Sequence, residues 1–259
     1  YPARVLAGGI TILLAGASSR LPWREFLADR SLVDYAWRTV TAWSFVPDLP
    51  GAYTANPYRD AVNGSLWTLP IEVRLYLGLM IAGIAGLLIR PRLWLLAVIA
   101  LVALFAIEPA WFPIAPNETT TRLLALLFAL GSLAFVWREH IPVSLPGLAL
   151  ALVLIAMNPL ELGRGALFPA LFGYIVLTLA YHPRLYWAGF NRLGDYSYGL
   201  YIFSFPIQQA LIARVGAALG DSPATLFAAA FPLTLGFAAV SWHMIERPAL
   251  ALKSRVCRA

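Results

Sequence analysis

Hydrophobic residues are grouped along this chain into eight long runs, which are separated by shorter polar connections. Runs of about 17–25 apolar residues are long enough to cross the hydrocarbon core of a membrane as α-helices. The pattern therefore predicts an all-α, polytopic membrane helix bundle, with about eight transmembrane helices in a single domain over residues 1–259. The predicted spans are residues 5–17, 69–89, 93–112, 121–137, 144–158, 165–181, 197–216 and 224–245.

The longest connection, residues 18–66, is rich in tryptophan and tyrosine. These residue types are enriched at the headgroup level of membranes. Within this connection, residues 24–45 are predicted to form an amphipathic helix in the membrane interface. Because aromatic rings also stack on the faces of sugars, the same residues are compatible with a glycan ligand.

Composition and charge support a membrane protein and set its predicted orientation. Apolar residues make up 60% of the chain and charged residues 12%, against about 25% charged residues in a soluble domain. The net charge is +6, but no basic stripe with interleaved aromatic residues indicates nucleic-acid binding. The positive-inside rule places most basic connections in the cytoplasm and residues 18–66 outside. The basic residues on the predicted cytoplasmic side are Arg4, Arg90, Arg92, Arg138, Arg184, Arg192, Arg247, Lys253, Arg255 and Arg258.

A polar and aromatic cluster at residues 63–76 leads into the second predicted span. Thr68 is a predicted N-cap, and Pro70 suits the first turn of a helix. Glu72 and Arg74 are ionisable groups at the edge of hydrocarbon, and such groups indicate a functional site by default. A helix-start acid that favours the dipole and an arginine that anchors the interface are the structural alternatives.

The density of chemical groups in this cluster favours a functional role. Glu72 and Tyr76 are four residues apart and share a helix face. A carboxylate there could orient a catalytic histidine or hold an acceptor hydroxyl. The predicted catalytic residues are Ser65, Glu72 and Arg74, and the predicted substrate-binding residues of this cluster are Asn63, Trp67 and Tyr76.

A second cluster, residues 194–209, opens the seventh span, and a third, residues 241–248, closes the last span. Asp195 or Ser197 is predicted to cap the seventh helix, and Pro206 to kink it. In the third cluster His243 and Glu246 lie three residues apart, which favours a His–Glu pair or capping in the membrane interface over a metal site. Further predicted substrate-binding residues are Tyr198, Tyr201 and Gln208, and both tyrosines also fit as interface anchors.

These three clusters, in this order, resemble the acyltransferase-3 family of membrane O-acyltransferases. Asn63-Gly64-Ser65-Leu66-Trp67-Thr68-Leu69 with Glu72 resembles the family motif Gly-Ser-Leu-Trp-(Ser/Thr)-Leu-x-x-Glu. Ser197-Tyr198-Gly199-Leu200-Tyr201 and the closing Trp242-x-x-x-Glu246-Arg247-Pro248 resemble it as well.

The resemblance implies a membrane O-acyltransferase that transfers an acetyl or another short acyl group to a hydroxyl of a surface or lipid-linked polysaccharide. It implies acetyl-CoA as the donor and a location in the bacterial inner membrane, and the residues themselves predict no metal site. Family members have about ten spanning helices, so this chain is expected to be truncated at its N-terminus by two helices. One of these carries a presumed catalytic histidine, and the chain by itself is therefore expected to be inactive. Ser204 stands where many members have histidine.

In the implied mechanism, the histidine removes the proton of the acceptor hydroxyl and Glu72 orients that histidine or the acceptor. Ser65 and Arg74, with Asn63, would stabilise the oxyanion or position the sugar. Glu72 is expected near the outer face, whereas acetyl-CoA is inside, so either the acyl group would have to cross the membrane or the donor would have to reach through the helix bundle. The alternative function is a transporter or flippase for lipid-linked saccharides, with the polar clusters along its path.

Overall fold

A computed structural model describes residues 2–59, 61–107, 119–157, 167–185, 189, 194–219 and 222–256. In this part of the chain the regular elements are helices, and two extended residues, Ser19 and Ala52, form an isolated bridge. The all-α prediction is therefore confirmed. The α-helices are α1 (Pro2–Gly16), α2 (Trp23–Ala28), α3 (Arg30–Thr41), α4 (Leu69–Ile84), α5 (Pro91–Ile107), α6 (Thr119–Val136), α7 (Leu145–Met157), α8 (Leu167–Tyr181), α9 (Ser197–Leu219), α10 (Pro223–Ser241) and α11 (Arg247–Val256).

Each of the eight predicted spans coincides with one of these helices. The seventh span was expected at residues 197–216, for example, and α9 covers Ser197–Leu219. The third span was expected to end at residue 112, but residues 108–118 lie outside the described part. Hydrophobic runs thus locate the helices along the chain, because each helix must satisfy its own backbone in an apolar surrounding.

Several of these helices have the length and composition of membrane spans. The stretches Gly64–Ile84, Thr119–Val136 and Pro223–Leu252 are long and apolar enough to cross a membrane, and four shorter helices are also apolar. Large apolar side chains such as Ile84 and Leu150 are exposed on them, as expected for surfaces that face lipid. The protein is an integral membrane protein, and the count of eight spans stays a prediction.

The described chain separates into two compact units. The first unit consists of Tyr1–Val73 with Gly189–Ala259, and the second unit is Arg74–Ala188. In the second unit, α5 packs against α6, and α8 against both α6 and α7. The prediction of a single membrane-embedded domain stays a prediction.

Close contacts between small residues hold the helices of the first unit together. A Cβ on Gly199 of α9 would lie 2.7 Å from the Cα of Ala238 of α10. This approach is possible only without a side chain at residue 199, and such contacts are typical of packed membrane helices. Ile202 and Phe203 of α9 are fully buried in the core that α9 forms with α1 and α10.

The predicted interfacial helix at residues 24–45 is present as two helices, α2 and α3. The break falls at Asp29, whose carboxylate accepts a hydrogen bond of 2.8 Å from the backbone N–H of Ser31 and so caps α3. This hydrogen bond lowers the pKa of Asp29 below its ordinary value. Val33 and Trp37 are exposed on α3 while Tyr35 is buried, which agrees with an amphipathic helix.

The predicted external connection is folded back along α1. Thr39 of α3 contacts Gly8 of α1, and the buried guanidinium of Arg4 donates a hydrogen bond of 3.2 Å to the carbonyl oxygen of Arg38. Cations near the last carbonyls of a helix are favourable. Arg4, which was counted with the cytoplasmic basic residues, therefore lies against residues that were assigned to the outside.

Candidate functional site

A hydrogen-bonded chain of three polar side chains links the first cluster to the second. The Thr68 hydroxyl donates to Oε1 of Glu72 over 3.2 Å, and the same hydroxyl lies 2.6 Å from the phenol oxygen of Tyr201. Glu72 is half-buried, and Tyr201 is 38% exposed. We call Glu72, Thr68 and Tyr201 the carboxylate chain. Its half-exposed end can meet a ligand.

The start of α4 explains how Glu72 comes to this position. Residues Gly64–Thr68 form a 3₁₀ turn that continues directly into α4 at Leu69. Thr68 and Glu72 are therefore one helical turn apart on the same face. The Thr68 side chain was predicted to cap the helix backbone, but it bonds the carboxylate of Glu72 instead. Pro70 lies in the first turn of α4, as predicted.

Asn63 fixes the backbone of this cluster to the part of α9 that contains Pro206. Pro206 has no N–H, so it leaves the carbonyl oxygen of Ile202, four residues earlier, without its helical partner. The Asn63 side-chain nitrogen donates to this oxygen over 3.0 Å, and it also lies 3.4 Å from the hydroxyl of Thr11. Asn63 is 1% exposed. This placement favours a structural role for Asn63 over the predicted ligand binding.

Gly64 permits the cluster to touch α9 closely. A Cβ at this position would lie 2.7 Å from the ring of Phe205. The ring of Phe205 also meets Tyr58 edge to face, with 5.7 Å between ring centroids. Gly64 of the motif is therefore required, because any side chain at this position would collide with the ring of Phe205 in the second cluster.

A buried amide pair fastens the same segment further along α9. The Asn56 side-chain nitrogen donates to the backbone oxygen and to Oε1 of Gln209, over 3.0 and 2.9 Å. Nε2 of Gln209 donates to the carbonyl oxygens of Tyr58 and Ala61. Both side chains are buried. We call Asn56 and Gln209 the amide clamp.

These contacts show that the segment runs antiparallel to α9. Asn56 meets Gln209, and Thr68, twelve residues later in the chain, meets Tyr201. Tyr201 is one turn from the start of α9 and about 27 Å from its end, at 1.5 Å per residue. Glu72 was expected near the outer face, and the start of α9 was predicted to be cytoplasmic. The structure brings the two together, so the two assignments cannot both be right.

The other predicted site residues have mixed positions. Ser65 and Trp67 are half-buried in the 3₁₀ turn. Tyr198 packs against the core of the first unit, and Gln208 is half-buried beside the clamp residue. Two further predicted residues are on the part of α4 that belongs to the second unit. These are Arg74, which is exposed, and Tyr76, whose ring packs edge to face against Phe128.

The third cluster forms a separate pair of contacts. The stretch Trp242–Glu246 is a π-helical turn, an arrangement that is frequent at functional sites. His243 Nε2 lies 3.1 Å from the hydroxyl of Tyr196, and Glu246 accepts a hydrogen bond of 2.8 Å from Ser241. The predicted His–Glu pair is therefore wrong, because the wider turn directs the two side chains to different partners.

Other predictions for α9 agree with the structure. Asp195 accepts hydrogen bonds from the backbone and side chain of Ser197 at the start of the helix, so its predicted capping role is confirmed.

Within the described ranges, no group of three or more histidine, cysteine, aspartate or glutamate residues is placed to hold a metal ion.

The roles that Thr68 and Gln209 have in this site were not predicted from the sequence. Thr68 was assigned to the backbone cap, although its position four residues before Glu72 also fits a side-chain bond. Gln208 was chosen over Gln209 as a substrate residue, but Gln209 is the buried amide. The chain position cannot tell which of two adjacent amides faces the protein, since this depends on the helix rotation.

Comparison with known proteins gives three findings. A family model described as an acyltransferase domain matches residues 11–243. The chain is similar to a curated relative, the O-acetyl transferase of Shigella phage Sf6, with 27% identity over an alignment of 272 positions. This alignment covers 98% of this chain and 75% of the relative. No solved structure matches the chain.

Proposed function

This chain belongs to the acyltransferase-3 family, and we propose that it transfers an acyl group from acyl-CoA to a hydroxyl of a surface or lipid-linked saccharide. Membership makes it a membrane O-acyltransferase that modifies a hydroxyl, whereas the donor and the saccharide are our proposal. The relative from phage Sf6 carries the name O-acetyl transferase, which supports acetyl as the group transferred. We place the protein in the bacterial inner membrane.

The carboxylate chain is the observation that carries this proposal. Because the proton of the Thr68 hydroxyl is directed to Glu72, its oxygen accepts the hydrogen bond from Tyr201. The phenol oxygen of Tyr201 then keeps lone pairs for an incoming donor. Linked hydrogen bonds that end on a carboxylate polarise one another. The exposed end of the chain can therefore accept a hydrogen bond from the hydroxyl group of an acceptor.

Acyl transfer breaks the O–H bond of the acceptor and the C–S bond of the thioester, and forms a C–O ester bond. The proton passes to a base, which the resemblance implies to be a histidine, and the free thiol of CoA leaves. Glu72 orients that base or, through Thr68 and Tyr201, the acceptor hydroxyl. Our candidates for stabilising the oxyanion are Ser65 and Arg74, and those for holding the sugar are Trp67, Tyr76 and Tyr198.

The position of Tyr201 supports access from the cytoplasm. It lies one turn into α9, and basic residues in the preceding connection predict a cytoplasmic start for this helix. Glu72 would then lie on the donor side rather than near the outer face. Under this proposal acyl-CoA reaches the carboxylate chain without transfer of the acyl group across the whole membrane.

The test is the variant Glu72→Gln in the complete gene product, measured as acceptor-dependent release of CoA thiol. Loss of a hydrogen bond to a charged group is expected to lower the rate roughly tenfold to a hundredfold. Glu25→Gln is the matched control, because Glu25 is exposed on α2. Full activity of a normally folded Glu72→Gln protein would remove Glu72 from the mechanism.

A further inference from the structure

A cavity of about 870 Å³ lies in the first unit at the far end of α9 from the carboxylate chain. Its walls come from the segment after α1, from residues 53–57, from the last turns of α9 and from the start of α10. Binding pockets for small ligands have volumes of about 300–1,000 Å³. The cavity therefore has the size of a binding site.

Tyr53 is the unusual residue of this cavity. Its φ angle is 56°, in the left-handed region that non-glycine residues rarely adopt. Its side chain is 2% exposed, and its buried hydroxyl interacts with the hydroxyl of Ser18, which also lines the cavity. Residues with a strained backbone concentrate at ligand sites.

The remaining described lining residues offer hydroxyl groups, the amide of Asn56 and one cation. Thr54 and Ser222 contribute hydroxyls, and Arg20 contributes a cation. The described residues of the lining include no carboxylate. Hydroxyl and guanidinium groups suit a polyhydroxylated ligand, and the cation also suits an acidic substituent on it.

The cavity is too far from Tyr201 to share its reacting hydroxyl. Ile212, which lines the cavity, is eleven residues after Tyr201 on α9, or about 16 Å along the helix axis. A single sugar cannot occupy both places. A chain of linked sugars can reach from one to the other.

We propose that this cavity is a second saccharide subsite, which binds sugar units of a polymeric acceptor at a distance from the hydroxyl that is acylated. This inference rests on the proposed function, because it assumes a saccharide acceptor. The cavity then contributes to the affinity for the polymer and leaves the chemical step unchanged.

The test compares two acceptors, the surface polysaccharide of the source cells and the monosaccharides released from it by acid hydrolysis. Arg20→Gln and Thr54→Val are each expected to raise KM for the polysaccharide about threefold to tenfold, the loss of one hydrogen bond. They leave kcat and the kinetics with monosaccharides unchanged. The matched controls Arg24→Gln and Thr41→Val, in the same unit but outside the cavity, leave both acceptors unaffected.

Ser222→Ala separates ligand binding from folding. The Ser222 hydroxyl makes no side-chain cap bond at the start of α10, so its removal does not lower the thermal stability, whereas KM for the polysaccharide rises. Lower stability with an unchanged KM would assign the hydroxyl to folding and overturn the proposal. Equal effects of Arg20→Gln on both acceptors would overturn it as well.

A binding measurement keeps the two proposals apart. Calorimetric titration of the purified chain in detergent with the same polysaccharide is expected to show binding that Arg20→Gln weakens. If the wild-type gene product releases no CoA with either acceptor, the proposed function fails. If CoA is released but neither titration nor KM responds to the cavity variants, the subsite fails and the proposed function stands.

Discussion

The amide clamp and the carboxylate chain both join the segment at residues 56–72 to α9, but they differ in how completely their polar groups are used. Gln209 is buried, and both its oxygen and its nitrogen are bonded within the protein. Tyr201 is 38% exposed and keeps acceptor capacity on its phenol oxygen. Buried polar groups whose hydrogen bonds are all made within the protein stabilise the fold. The carboxylate chain keeps one acceptor atom that can bind a substrate.

The largest effect is expected at the clamp. Gln209→Leu removes the bonds to the carbonyl oxygens of Tyr58 and Ala61 and leaves Asn56 without one acceptor. The free energy of unfolding should fall by about 2–5 kcal/mol, because several buried groups lose partners together. Thermal unfolding in detergent measures it.

Gln208→Leu is the control for this variant, since Gln208 is the half-buried neighbour on the same helix. A loss below about 1 kcal/mol is expected for it. Equal losses for the two variants would mean that the clamp is not what fastens the segment.

A double-mutant cycle tests the link between Asn63 and Pro206. Asn63→Ala leaves the carbonyl oxygen of Ile202 buried without a donor, at a cost of about 1–3 kcal/mol. Pro206→Ala restores a backbone N–H that can reach this oxygen. In that background the cost of Asn63→Ala should fall by at least half, as measured by thermal unfolding. Strictly additive effects would contradict the assignment.

Tyr201→Phe tests the exposed end of the carboxylate chain. It removes the phenol oxygen and leaves the ring, so activity should fall about tenfold through loss of one hydrogen bond in the transition state. Stability should change little, because Tyr201 is partly exposed. CoA release and thermal unfolding are compared with those of Tyr58→Phe, a tyrosine that is 66% exposed. A large loss of stability without a kinetic effect would show that Tyr201 stabilises the fold, as the amide clamp does.

The smallest effect concerns a buried hydroxyl of the first unit. Burial raises the pKa of Tyr35 to about 12, above its ordinary value of about 10. As the pH rises from 10 to 12, the unfolded chain loses this proton before the folded protein does, so stability falls. The loss at pH 11 is about 1 kcal/mol. Tyr35→Phe should reduce the fall in melting temperature between pH 9 and 11, whereas exposed Tyr181→Phe should not.

Much of the candidate site could be predicted from the sequence, because its residues are close in the chain. The motif around Gly64 and Thr68, the carboxylate of Glu72 and the cap at Asp195 all follow from local spacing. The pairing of Glu72 with Tyr201 could not be predicted, because it depends on how residues 42–62 turn back. Charge counting places Glu72 outside and Tyr201 inside, since it treats a long connection as leaving the membrane region.

The sequence by itself determined the helices, the membrane class and the family, because hydrophobic runs and short motifs are local properties of the chain. Only the tertiary structure decided which polar side chains meet. Asn63 reaches the oxygen freed by Pro206 over 139 positions of the chain, and Thr68 reaches Tyr201 over 133. Such contacts arise from the packing of α9 against a returning segment, and buried polar groups must find partners wherever that packing brings them.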